Sequence, residues 1–151
     1  MNGVQIKNLI LIILSAAGGF FVKFLGGADA VLKALIAFMV VDYLTGIAVA
    51  IIFHKSQKTK SGGASSKEGF KGFIKKICML SIVGLAHVLD VIMGTDYMRT
   101  MLIMFFIGNE GLSILENVGL MGMKYPAFLH KALEVLRDNN DGTDGSGDDN
   151  E

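Results

Sequence analysis

The chain has 151 residues, room for one compact domain or one small membrane bundle and too few for two full domains. Hydrophobic residues make up 52% against 19% charged, which excludes disorder for most of the length. The zero net charge hides an asymmetry: residues 1–137 hold 14 Lys and Arg against 8 acids, a net +6, while residues 138–151 hold 6 acids and no base, a net −6.

A single cysteine, Cys78, excludes an intramolecular disulfide framework and a multi-cysteine metal centre. The histidines are scattered and form no metal-ligand pattern. The basic residues sit beside apolar stretches, without the aromatic interleaving that stacks on bases, so no nucleic-acid partner is expected. Basic loops between apolar segments suit a membrane protein.

The first apolar segment runs from about Asn8 to Val22, between Lys7 and Lys23. It resembles a secretory signal, but further apolar segments follow and no clear cleavage site precedes a soluble domain, so it reads as a retained helix. The second runs from about Val31 to Phe53, with Lys33 and Asp42 inside it. The loop His54–Gly72 follows, with Lys55, Lys58, Lys60, Lys67 and Lys71 against Glu68. Its centre, Ser61 to Ser66, has flexible-linker composition. By the positive-inside rule this loop is cytoplasmic, and so is the C-terminus.

The third segment runs from about Phe73 to Met93, with Lys75 and Lys76 at its start and Asp90 near its end. Gly94-Thr95-Asp96 makes the outward turn. The fourth runs from about Met98 to Met121, interrupted by Asn109, Glu110, Glu116 and Asn117. After Pro126, Phe128, Leu129, Ala132, Leu133 and Leu136 share one helical face, and His130, Lys131, Glu134 and Arg137 the other. That is an amphipathic helix for the inner leaflet or a neighbouring subunit, or a fifth packing helix of a soluble bundle. Residues 138–151 are expected to form a disordered acidic tail after a helical membrane-embedded domain, residues 1–137.

No segment is free of charge over 18 residues, so a soluble four-helix bundle is the alternative. Three features favour the membrane. Lys7, Lys23, Lys33, Lys75 and Lys76 lie near segment ends, where they snorkel. The segments are apolar nearly all round. Their roughly 20 residues span a bilayer core. The fold class expected is therefore all-α, an integral membrane protein of three or four spans plus a short amphipathic helix, forming homo-oligomers.

Enzyme signatures are missing: no Walker lysine or dinucleotide fingerprint accompanies the glycines. Cys78 and His87 stand nine residues apart on one helix, about 13 Å along its axis, a poor nucleophile–base pair. Neither catalysis nor a cofactor is expected. The informative residues are polar groups inside apolar spans. A charge at bilayer depth costs on the order of 3 kcal/mol and must face protein or water. Asp42, near Thr45 and Gly46, either bonds a neighbouring helix through Thr45 or a lysine, or lines an aqueous path. His87 reads as a satisfied interior histidine or a pH-sensitive group, and Asp90 as an exposed cap. In the fourth segment Asn109, Glu110, Ser113, Glu116 and Asn117 fall within about 120°. Gly108, Gly111, Gly119 and Gly122 fall in a separate arc of about 80° that permits close helix approach. The polar arc and Asp42 are candidates for a pore lining or an oligomer contact.

Several of these motifs also carry a resemblance. Asp42-Tyr43-Leu44-Thr45-Gly46, Gly69-Phe70-Lys71-Gly72 with Lys75-Lys76, and the run from Ile107 through Asn109-Glu110-Gly111 and Glu116-Asn117 to Gly119 resemble the toxin-secretion/phage-lysis holin family over residues 36–137. The resemblance implies a small phage-encoded multi-pass protein of the host inner membrane. Such proteins oligomerise into lesions that release or activate an endolysin, without required direct contact with it. They carry no catalytic residues, and some relatives export toxins. A small-pore channel, an antiholin-like regulator and a soluble helical adaptor are the competing readings.

Overall fold

A computed structural model describes residues 2–59 and 61–138. They form five helices: α1 (Gly3–Phe24), α2 (Ala30–Ile51), α3 (Ser66–Met93), α4 (Met98–Leu120) and α5 (Ala127–Asp138). No strand occurs among the described residues. The acidic tail expected over 138–151 lies outside the described residues except for Asp138, which closes α5.

Local chemistry sets the helix ends. The Asp29 carboxylate accepts the Leu32 N–H at 2.9 Å and caps α2. Helix α3 stops at Gly94, whose φ of 68° suits a residue without Cβ. Asp90 then starts α4, accepting from the Met98 and Arg99 N–H groups at 3.1 and 2.8 Å and from Thr95 Oγ1 at 2.6 Å. Gly122, with φ of 86°, turns the chain toward Pro126, and α5 begins one residue later.

The helices lie close to the segments expected, with two corrections. Helix α3 begins at Ser66, not Phe73. Its first turns look like loop because they are polar and glycine-rich. Glu68 in the first turn complements the helix dipole and pairs with Lys71 at 2.7 Å. The stretch read as flexible linker also carries a turn: Ser56 N–H donates to the Gly62 carbonyl at 2.9 Å and Thr59 Oγ1 to the Gly63 carbonyl at 2.8 Å.

Leu32, Leu35 and Met39 of α2 meet Met79 and Val83 of α3 and Ile103, Phe106 and Ile107 of α4 in the core. Helix α1 buries no residue and stands outside this bundle, joined to it where the Phe24 ring lies against Gly84. α1 to α4 are each long and apolar enough to cross a membrane. Their outward side chains form an apolar belt, including Val40, Leu44, Leu85, Val91 and Ile92. Such a belt is far larger than a soluble monomer exposes, and acyl chains solvate it.

Candidate functional site

The buried stripes of three helices each contain an ionisable residue. On α3, Lys76 continues the helical row of Met79, Val83, Ala86 and Asp90. On α4, Glu110 continues the row of Arg99, Ile103 and Phe106. On α2, Asp42 follows Leu35 and Met39. Asp42 is 12 residues from Ala30 and Glu110 is 12 from Met98, so both lie about 18 Å from the end of the bundle that holds the Gly94 turn.

Packing brings the three together. Lys76 Nζ donates to Asp42 Oδ2 at 2.8 Å and to Glu110 Oε2. Asn117 Nδ2 donates to Asp42 Oδ1 at 3.3 Å, to the Asp42 carbonyl at 3.4 Å and to Thr45 Oγ1 at 3.0 Å. Thr45 Oγ1 in turn donates to the Asp42 carbonyl at 3.0 Å. Two carboxylates share one ammonium, leaving the cluster a net charge of about −1. The Glu110 side chain is 4% exposed, so it depends on Lys76 for solvation. Among the described residues, no buried side-chain nitrogen or oxygen lacks a hydrogen-bond partner.

A cavity of about 540 Å³ reaches this cluster from the side of the 52–65 loop. Asp42, Lys76, Glu110 and Ser113 line its floor, and Ser56, Lys58 and Glu68 lie nearer the loop. Its polar floor and its size are enough to admit water to the cluster.

The sequence candidates separate in space. Asp42, Thr45, Glu110 and Asn117 form the cluster, and Ser113 joins it through the cavity. Asn109 is half-buried and Glu116 exposed, on the far edge of the polar arc. The glycines also divide. Gly108 and Gly111 are buried under α5, where added Cβ atoms would stand 2.7 Å from the Leu133 carbonyl and from Leu133 Cδ2. Gly119 faces Tyr125, and Gly46 faces Asn117. Helix α5 therefore lies along its own α4 rather than flat on a leaflet.

Lys76 was expected to snorkel at a segment end. It instead stands in the interior of α3, because that helix starts ten residues before it. Glu110, a candidate for a pore lining or an oligomer contact, is hidden within a single chain, paired with Lys76. Asp90 does act as a cap but is buried, 3% exposed, because α4 folds back over it.

Arg99 is the residue that the sequence reading missed. Buried at 7% exposure, its guanidinium donates to the Leu25 carbonyl at 2.5 Å, the Gly27 carbonyl at 3.2 Å and Asp29 Oδ2 at 2.7 Å. It ties the α1–α2 connection to α4. Its hydrogen bond holds the Asp29 carboxyl below the usual aspartate range. Gly26, with φ of 82°, leaves room for Arg99 and His87, since a Cβ there would stand 2.7 Å from Arg99 Nε and 2.9 Å from His87 Nδ1. The row of Arg99, Ile103, Phe106 and Glu110 at helical spacing was the available signal.

Comparison with known proteins adds a second line. The bacteriophage holin family matches residues 19–138. An uncharacterized protein of Listeria monocytogenes is 40% identical over 128 residues, 84% of this chain and 85% of its own length. An uncharacterized 14.9 kDa protein of Clostridium perfringens is 34% identical, covering 87% and 96%. A probable holin of Bacillus phage phi105 is 29% identical over 119 residues, covering 78% and 82%. No solved structure matches the chain.

Proposed function

Because the chain belongs to the bacteriophage holin family, we propose that it self-associates in the inner membrane of a host bacterium and opens lesions there. An endolysin then passes or is activated, and the cell wall is degraded. The loops 52–65 and 121–126 face the cytoplasm on this reading, by the charge of Lys55, Lys58, Lys67 and Lys71. The protein carries out no reaction of its own.

The observation that carries this reading is the shared Lys76. In the closed chain it bridges Asp42 and Glu110 from two other helices. Any separation of α3 from α2 and α4 leaves two carboxylates that lipid does not solvate. Such a state persists only where water reaches them. Association of many copies supplies that water in a lumen, so crowding drives the chain from the closed to the open arrangement. Each elementary charge moved through 100 mV is worth about 2.3 kcal/mol, so loss of membrane potential biases the same switch.

The test is release from vesicles containing the purified chain, loaded with a small dye and a protein-sized dextran. Release of both above a threshold protein density supports the reading. Release of dye with the dextran retained points to a small-pore channel instead.

A further inference from the structure

Helix α5 carries charge at a depth where lipid does not accept it. It runs back along α4, from Tyr125 beside Gly119 to Arg137 beside Gly108. The backbones touch: a Cβ at Gly108 would stand 2.7 Å from the Leu133 carbonyl oxygen and the Arg137 nitrogen. The depth follows from α2. Gly111 lies against Phe38, and Asn117 bonds Thr45. The part of α4 under α5 is therefore level with residues 36–48 of α2. There α2 turns Val40, Val41 and Leu44 outward, each more than 40% exposed. Helix α5 thus lies within the apolar belt rather than beyond it.

Three faces divide α5 at 100° per residue. Leu133 and Leu136 pack on α4. Phe128 and Val135, 72% and 54% exposed, form a second, apolar face. His130, Lys131, Glu134 and Asp138 fall within about 100° on the third. His130 and Glu134 pair there at 3.3 Å with both side chains 41% exposed. Helix α4 adds a second observation, the exposed Glu116 at the same level. The chain itself leaves this polar face in the open.

We infer that the His130–Lys131–Glu134 face of α5 lines a water-filled passage at membrane depth, enclosed by further copies of this chain, while Phe128 and Val135 meet lipid. The passage deepens the holin reading and rests on it: the charged lining is supplied by α5 as well as by the Asp42–Lys76–Glu110 cluster. A single copy is incomplete, because the water must be walled on its other sides.

The test uses the full chain in vesicles, with Cys78→Ser as background and one new cysteine at 128, 131, 134 or 135. Labelling by a charged, membrane-impermeant maleimide is read beside quenching of a fluorophore on the same cysteine by nitroxides placed mid-chain in the lipid. Lys131→Cys and Glu134→Cys are expected to label about tenfold or more faster than Phe128→Cys and Val135→Cys, since the reacting thiolate is disfavoured in hydrocarbon. Only positions 128 and 135 are expected to be quenched. Fast labelling at 135 without quenching puts α5 outside the bilayer and overturns the inference. Slow labelling at 131 and 134 removes the water and does the same. Escape of protein-sized cargo is followed in the same vesicles. The labelling pattern without escape keeps the aqueous face and sinks the holin reading; escape without the pattern does the reverse.

Discussion

Replacing Lys76 by methionine keeps most of the side-chain volume and removes the charge that Asp42 and Glu110 share. Breaking a buried ion pair from one side costs about 3–5 kcal/mol, because the other charge stays buried without a partner. The Asp42 side chain is 15% exposed and a 540 Å³ cavity touches both carboxylates, so water relieves part of the penalty. The lower end, about 3 kcal/mol, is the expected loss. Thermal unfolding in detergent, followed by helical circular dichroism, measures it. In cells the same substitution is expected to advance permeabilisation, since the closed arrangement loses more than an open, hydrated one. The triple variant Asp42→Asn, Lys76→Met, Glu110→Gln is expected to recover most of the stability, because no charge is left unpartnered. A single variant as stable as the parent refutes the argument, and so does a triple variant no better than the single one.

Other expectations follow from the same contacts. Glu110→Gln breaks the Lys76 pair and should change the time of permeabilisation, whereas exposed Glu116→Gln should alter stability by no more than about 0.5 kcal/mol; equal timing in both variants and the parent contradicts the role given to the polar arc. Gly108→Ala presses a methyl group into the α5 backbone and should cost about 1–3 kcal/mol, read as faster tryptic cleavage at Lys124. Arg99→Ala leaves the buried Leu25 carbonyl and the half-buried Gly27 carbonyl without their donor and should lower the unfolding temperature more than Lys33→Ala on the exposed face of α2. Asp29, held below its ordinary value by Arg99, contributes stability that is complete above about pH 3.9 and is lost as pH falls through its lowered folded value. Asp29→Asn should flatten that acid limb in a melting series, and an unchanged limb counts against the pairing.

The spans were legible because apolar runs of helical length end at charges or at glycine, as at Gly94. The start of α3 was hidden, since Ser66 to Gly72 has loop composition yet extends a helix whose stability comes from packing farther along. Asp42, Glu110 and Asn117 were visible as polar residues at membrane depth. Their partner was not, because Lys76 lies beside the basic loop in sequence and reads as an interfacial lysine. The helical rows through Met79 and Ile103 carry the missing information, since they place Lys76, Asp90, Arg99 and Glu110 on buried stripes. The acceptors of Arg99 on the α1–α2 connection lie 70 to 74 residues away, and no local pattern announces them. Of the glycine arc on α4, Gly108 and Gly111 lie under α5 while Gly122 has nothing near it, and periodicity does not say that α5 of the same chain is the neighbour.

The most direct measurement is induced expression in a bacterial host without an endolysin, following membrane potential and escape of a cytoplasmic reporter protein together. Abrupt, simultaneous loss of potential and reporter is the predicted result. Loss of potential with the reporter retained, or an intact membrane despite accumulated protein, contradicts the account.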